Sequence, residues 1–251
     1  MTAAGGLLIV NADDWGIDAP TTDAIGRCLR AGAVTSASGM VFMADSERAA
    51  ALARSERVSV GLHLNLTEPF AATASADVER RQARIVEYFA GSRWRRWGVS
   101  ASLFTEIERC IADQLAEFRR LYGCEPSHID GHEHIHQALG VLGARTLPSG
   151  AKLRPSFTYA PGEKSGANRL ARAALNAVMR RRFATPRYFF SIRDLHPALG
   201  GAGLEEKLAL SSGCTVEVMT HPGWTDELQI LLGERWSAVT GVRPLGSYED
   251  L

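Results

Sequence analysis

Short apolar segments alternate with helical segments along most of the 251-residue chain. The first, Leu7–Val10, is uninterrupted and leads into Asn-Ala-Asp-Asp, which is typical of a buried strand in a parallel sheet. Further strands are predicted at residues 35–42, 58–66, 127–132, 152–157, 187–192, 215–219 and, more weakly, 242–245. Helices are predicted between them, over residues 18–31, 46–53 with Ser46 as the N-cap, and 102–122.

This alternation predicts a parallel sheet with right-handed crossovers. Seven or eight strand–helix units in a chain of this length favour one α/β domain over residues 1–251, a distorted (β/α) TIM-like barrel. An open, doubly wound sheet is the alternative. Residues 160–186 are basic and rich in alanine, and we expect a solvated surface helix there.

The bulk composition favours a small-molecule enzyme. The 28 basic and 28 acidic side chains balance, which gives no electrostatic reason to expect nucleic acid or an anionic membrane as a partner. No apolar stretch approaches the roughly 20 residues that span a bilayer, and the first residues lack the basic start of a signal peptide. The four cysteines form no CxxC pair. We therefore expect a cytoplasmic protein with reduced thiols.

Residues 128–136 contain four of the seven histidines in the chain, together with two carboxylates. Imidazole is the commonest protein ligand for borderline metals, so this window predicts a metal site. In a strand, alternate side chains point the same way. His132, His134 and His136 would therefore share a face if the strand continued that far.

Polar residues end the other predicted strands as well, at the edge where α/β barrels carry their functional groups. They are Asp13 and Asp14 after the first strand, His63 and Asn65 at the third, Asp130 and His132 at the fourth, Arg154 on the fifth, and His221 after the seventh. Adjacent aspartates on a strand point to opposite sides, so one could bind a metal while the other faces the reacting water. Helix N-capping is the structural alternative for this pair.

We select His63 and His132 as the metal-binding histidines and place His134 and His136 beside the metal shell or facing the substrate. Ligands limited to oxygen and imidazole suit Mg²⁺, Mn²⁺, Co²⁺ or Zn²⁺. Trp15 either lines the pocket as a platform for a sugar or packs in the core. The predicted substrate contacts are Trp15, Asn65, His134, His136 and Arg154.

Six segments resemble the motifs of the YdjC-like carbohydrate deacetylase family, in the family's order. They are residues 7–16, 32–36, 61–67, 128–136, 217–223 and 245–251. The resemblance implies a distorted barrel, a divalent metal, usually Mg²⁺, and removal of acetyl groups from N-acetylglucosamine-type sugars. It also implies Asp14, His63 and His132 as metal ligands, Asp13 as the base and His221 as the acid.

The chain departs from the family pattern at two places. Trp15 stands where the family usually has Phe, and residues 68–100 replace a Pro- and Gly-containing loop with an Ala- and Arg-rich segment. This loop shapes the sugar pocket, so the exact substrate stays open. The family also has a hopanoid-biosynthesis branch.

Other enzyme classes and other assemblies stay open at this stage. A metal-dependent phosphoesterase or amidohydrolase could use the same barrel, although Arg154 is the only obvious phosphate ligand at a strand end. A non-catalytic metal- or sugar-binding protein is the third possibility. In the segment 71–100, Phe89, Trp94 and Trp97 have no obvious place in a barrel core, so we predict a lid over the pocket or a homodimer contact, with a solvated helix as the alternative.

Overall fold

Seven parallel strands form one sheet in the computed structural model, which describes residues 5–72 and 74–251. The strands are β1 (Leu7–Trp15), β2 (Ser36–Gly39), β3 (Val60–Leu64), β4 (Ile129–Gly131), β5 (Tyr188–Ser191), β6 (Thr215–Thr220) and β7 (Leu245–Gly246). The order is β4-β3-β2-β1-β6-β5, and the short β7 pairs with the start of β1. The register places Asn11 opposite Ser36 and His63 opposite Asp130. All of the carboxyl ends therefore lie at one rim.

Residues 152–158 run between the two outermost strands of this order. Ile129 N–H donates to the Lys152 carbonyl at 2.9 Å, and Leu153 N–H donates to the Ala184 carbonyl at 2.9 Å. Further along, Thr158 N–H donates to the Phe189 carbonyl on β5. The predicted fifth strand is thus a bridging segment with isolated β-bridges. The sheet curls strongly into an incomplete barrel, which confirms the predicted α/β barrel of about seven strands in a single domain.

Ten helices cover the sheet in the described part of the chain. They are α1 (Ala19–Arg30), α2 (Ser46–Glu56), α3 (Ala76–Ala90), α4 (Ala101–Tyr122), α5 (Leu139–Leu142), α6 (Gly166–Met179), α7 (Ile192–Leu195), α8 (Leu204–Ala209), α9 (Thr225–Leu231) and α10 (Glu234–Thr240). Five 3₁₀ turns add residues 93–97, 132–137, 197–199, 210–212 and 248–250. None of these described helices is both long and apolar enough to cross a membrane.

The N-cap predicted for α2 is wrong by one residue. Asp45 precedes the helix, and Ser46 is its first residue. The Ser46 hydroxyl accepts the Met43 N–H and donates to the Met40 carbonyl, so it closes the preceding turn and does not cap the helix.

The longest helix, α4, packs on the sheet through a stripe at helical spacing. Ile107, Ile111, Leu115 and Phe118 are all buried along this face. α3 packs against α4 and buries Ile85 and Phe89. The expectation that Phe89 has no place in the core is therefore wrong, because α3 extends the core laterally beyond the barrel.

Gly61 on β3 tests how tightly this interior is packed. A Cβ at this position would overlap the His128 imidazole, which cannot retreat because it stacks on Tyr248 at 3.8 Å. We expect Gly61→Ala to lower the free energy of unfolding by about 1–3 kcal/mol, measured by urea denaturation.

Gly213→Ala is the matched control. Its Cβ would meet no atom within 4 Å, and its φ of −123° suits any residue. We expect a change within about 0.5 kcal/mol. An equal loss of free energy of unfolding in both variants would show that replacing glycine by alanine in general, and not packing at His128, explains the effect.

Candidate active site

Side chains from four strand ends meet at the rim of the barrel. Asp14 lies near the end of β1, His63 near the end of β3, His132 directly after β4, and His221 directly after β6. The structure thus brings together residues that are up to 207 positions apart because parallel strands end at the same edge.

Asp14, His63 and His132 form the tightest group of potential metal ligands. Asp14 Oδ1 lies 3.1 Å from His132 Nδ1 and 3.3 Å from His63 Nε2. Neighbouring ligands of one divalent ion, each about 2.1 Å from it, lie roughly 3 Å apart. The spacing and the donor types therefore fit one divalent cation, and three protein ligands leave positions open for water or substrate.

The backbone at Asp14 explains why both aspartates reach this site. Asp14 has a φ of 72°, and the pairing of β1 with β2 shifts register between Ala12 and Trp15. The strict alternation of a strand is broken there. The expectation that the two carboxylates point to opposite sides is wrong, since both Asp13 and Asp14 lie near His63. Asp is among the residues that best tolerate this left-handed conformation.

Asp130 holds the His63 ring. Its Oδ1 is 2.8 Å from His63 Nδ1, which leaves Nε2 directed at Asp14. A carboxylate behind a histidine is the usual support of a metal-binding imidazole. Burial would lower the pKa of His63, but the Asp130 and Asp13 carboxylates outweigh it and raise the pKa to about 10. The surroundings therefore favour positive charge at this point.

Burial also acts on Asp14, where it raises the pKa of the carboxyl. Hydrogen bonds with His132 and His63 outweigh that effect and hold the pKa well below its usual range. Asp14 is therefore ionised across the neutral range, as a metal ligand must be.

Asp13 and His221 lie on another side of the cluster. Asp13 is buried, and Asn11 Nδ2 donates to it at 2.9 Å. His221 Nε2 lies 3.9 Å from Asp13 Oδ2, and its ring stacks on Trp224 with centroids 4.5 Å apart. Burial lowers the pKa of His221, and the Asp13 carboxylate opposes this effect. A carboxylate and an imidazole thus face each other next to the candidate metal position.

Arg154 is the centre of a buried charge network beneath the site. It forms two hydrogen bonds to Asp13, at 2.6 and 2.7 Å, and an ion pair with Asp130 at 2.7 Å. Its Nε donates to Glu217 at 2.7 Å, and the Tyr248 hydroxyl donates to the other Glu217 oxygen. Burial raises the pKa of Glu217 to about 7, although Arg154 opposes the rise. The guanidinium is fully buried, so it does not meet the substrate.

Three more predicted substrate contacts lie inside the protein, and their assignment is revised with that of Arg154. Trp15 is 1% exposed and belongs to the apolar core. Asn65 is buried, and its side-chain oxygen accepts the N–H groups of Thr67 and Glu68, so it shapes the turn after β3. His136 is also fully buried. Polarity near a strand end did not distinguish these structural residues from exposed ones.

His134 is the predicted substrate contact that keeps accessible surface. It lines a cavity of about 260 Å³ together with Trp97 and Phe157. β4 ends at Gly131, and both Glu133 and His134 adopt left-handed φ values, so the chain turns sharply there. The expectation that His132, His134 and His136 share one strand face is therefore wrong.

Sequence reasoning missed several supporting residues. Glu68 Oε1 lies 3.3 Å from His132 Nε2, and Ser38 links Asn11, His128 and Asp130 by hydrogen bonds. Glu217 and Tyr248 carried a signal, because both lie in segments that resemble family motifs. A second group, Asp13, His63 and Asp130, also has metal-like spacing, but both of its carboxylates already form ion pairs with Arg154.

The fold and the cluster define an α/β barrel with a carboxylate–imidazole site at its rim. A family model described as YdjC-like protein matches residues 7–240, and the chain belongs to that family. It is 28% identical to the carbohydrate deacetylase of Mus musculus, over 86% of this chain and 78% of that protein. It is 29% identical to the chitooligosaccharide deacetylase of Klebsiella pneumoniae subsp. pneumoniae, over 92% and 86% respectively.

A solved structure supports the fold independently. A proposed cellobiose-phosphate cleavage protein from Enterococcus faecalis V583 superposes with a TM-score of 0.68, covering 98% of both chains at 21% identity. At this identity the likeness concerns the fold alone.

Arg154→Gln tests the buried network. Removing the guanidinium leaves buried carboxylates unpaired, so we expect the free energy of unfolding to fall by about 3–5 kcal/mol near neutral pH. The carboxyl pKa values of the folded variant should rise above their unfolded values, so the folded state binds more protons. The difference in free energy of unfolding between the wild type and Arg154→Gln should therefore narrow as the pH falls. Urea unfolding at several pH values measures it.

Arg154→Lys is the control, because it keeps the charge but loses the forked hydrogen bonds. We expect its free energy of unfolding to lie between the values of the wild type and Arg154→Gln. A Gln variant as stable as the wild type at all pH values would contradict the central role of this guanidinium.

Proposed function

We propose that the protein is a metal-dependent hydrolase that removes acetyl groups from N-acetylated sugars of the chitooligosaccharide type. The observation that carries the proposal is the Asp14–His63–His132 cluster, with Asp13 and His221 beside it. The chain's membership of the YdjC-like family and its similarity to named deacetylases support the same reaction.

In this proposal Asp14, His63 and His132 hold the divalent cation. When bound, the ion would polarise the acetamide carbonyl and lower the pKa of a water molecule. Asp13 accepts the proton of the attacking water, and Arg154 and Asn11 hold its carboxylate in place. His221 donates a proton to the departing amine, and Trp224 supports its ring. Mg²⁺ follows from the family resemblance, while Zn²⁺, Mn²⁺ and Co²⁺ suit the same donors.

The cavity beside His134 is the proposed place for the rest of the sugar. Trp97 and Phe157 supply aromatic surface, and Arg96 donates to the Glu133 carbonyl at 2.7 Å, which ties residues 93–97 to the loop that follows His132. These contacts support the lid version of the predicted role for residues 71–100.

A phosphoesterase is less well supported at this site. The one arginine predicted to bind phosphate, Arg154, is buried and paired with Asp13, Asp130 and Glu217. A panel of phosphate esters without turnover would remove this alternative. A purely binding protein would have no need for the facing Asp13 and His221.

The direct test is acetate release from N,N′-diacetylchitobiose, with and without added metal. We expect Asp13→Asn and His221→Ala each to lower kcat by about 10²-fold or more, because each removes a proton-transfer group. Metal content, measured by mass spectrometry, should persist in both variants but fall in Asp14→Asn.

Asp18→Asn is the matched control a few residues after Asp13, because Asp18 is an exposed N-cap of α1 and Asn caps equally well. It should retain full turnover. Absence of acetate release from every N-acetyl sugar would contradict the sugar assignment. Loss of metal from Asp13→Asn would show that Asp13 is a metal ligand.

The homodimer and the cytoplasmic location stay predictions. Trp94 and Trp97 are 71% and 55% exposed, and aromatic side chains beside arginines are enriched at protein interfaces. We expect light scattering to give the mass of a dimer at micromolar concentrations, and Trp94→Ser to shift it toward the monomer. A monomer at every concentration would reject the dimer.

A further inference from the structure

Four arginines line a second cavity, of about 240 Å³, on the outer side of the barrel. They are Arg169, Arg172, Arg180 and Arg187. Three rings, those of Phe157, Tyr159 and Tyr188, complete most of the wall, and no described residue that lines the cavity is acidic. This arginine cavity is distinct from the candidate metal centre, because Arg187 precedes β5 and so lies at the opposite end of that strand from the rim.

The spacing along α6 explains why the charges converge. One face of the helix and its C-terminal end carry residues spaced at intervals of three and four, namely Arg169, Arg172, Asn176 and Arg180. The expectation of a surface helix within residues 160–186 is confirmed by α6, whose buried residues are Asn176 and Met179, and its arginine face borders the open cavity.

Among the described residues, the contact partners of these guanidinium groups are neutral. The Arg172 guanidinium carbon lies 5.4 Å from the centre of the Tyr159 ring, and that of Arg187 lies 5.9 Å from the Tyr188 ring. Arg169 donates to the Tyr159 carbonyl. Arg180 donates to the Arg187 carbonyl at 3.1 Å. These contacts position the cations without neutralising them.

The positive charge in the cavity lacks a protein counterion. Among the described residues, none of the four arginines has a carboxylate oxygen within 4.0 Å, whereas the surface residues Arg48, Arg119 and Arg120 all form ion pairs. Glu163 acts on Arg169 through space, but its carboxylate pairs with Lys207. Burial and the neighbouring Arg187 both lower the pKa of Arg180, and Tyr188 opposes them.

We infer that the arginine cavity is a binding site for a small oxyanion, either a phosphate or a carboxylate group. Guanidinium forks match the oxygens of both groups, and four arginines with no acidic residue in the described lining favour an anionic ligand. The inference does not depend on the proposed deacetylation.

Calorimetric titration of inorganic phosphate into metal-chelated protein tests the site, because chelation removes any phosphate bound through a metal ion. We expect saturable binding of phosphate to the wild type. The Kd should rise roughly tenfold in each of the single variants Arg180→Gln and Arg187→Gln, because each loses one charge-assisted contact. Both side chains belong to exposed residues, so the fold should persist. Citrate in place of phosphate identifies which oxyanion the cavity prefers.

Arg181→Gln is the matched control. Arg181 is exposed, adjacent to Arg180 and outside the cavity lining, so its loss changes the net charge equally. It should bind phosphate as the wild type does. No saturable binding to the wild type, or equal weakening in Arg180→Gln and Arg181→Gln, would overturn the site and leave only a general attraction of anions to a basic surface.

Discussion

The buried guanidinium of Arg154 is the interaction on which the site depends. It joins carboxylates from three strands, Asp13 on β1, Asp130 on β4 and Glu217 on β6, and so it ties together strands that are not all neighbours. Burying a cation and several carboxylates is costly unless each lone pair finds a donor. The bridging segment 152–158 carries Arg154, so the segment that runs between β4 and β5 also supplies the cation for these carboxylates.

Three of the five described non-glycine residues with left-handed φ values lie at or beside the candidate ligands. Asp14, Glu133 and His134 all have left-handed φ values, which cost about 1–3 kcal/mol each for residues other than glycine. Two of these positions flank or hold candidate ligands, since Glu133 follows His132 directly. The strain bends β1 and ends β4 abruptly, and this brings Asp14 within 3.1 Å of His132. The rigid sheet supplies the stability that keeps these conformations populated.

The fold and the main cluster could be predicted from the sequence because they depend on local patterns. Apolar runs identified the strands, and polar residues at their ends identified the aspartate pair, His63 and His132 as neighbours. The resemblance to the family selected Asp14 from that pair. Local patterns do not report burial, however. Asn65, His136 and Arg154 are polar near strand ends, yet each is enclosed by segments distant in the chain. The side-chain directions of Asp13 and Asp14 also escaped prediction, because they depend on a register shift against β2.

Arg154 and Arg172 lie in different environments, one suited to a structural role and the other to ligand binding. Arg154 is fully buried and surrounded by carboxylates, so its charge is used within the fold and has no capacity left for a ligand. Arg172 is only partly buried, and its hydrogen bonds go to the neutral Ser156 and Asn168 side chains. Arg172 and Phe157 line both the cavity beside His134 and the arginine cavity. The two cavities therefore share one wall, built from a cation and an aromatic ring.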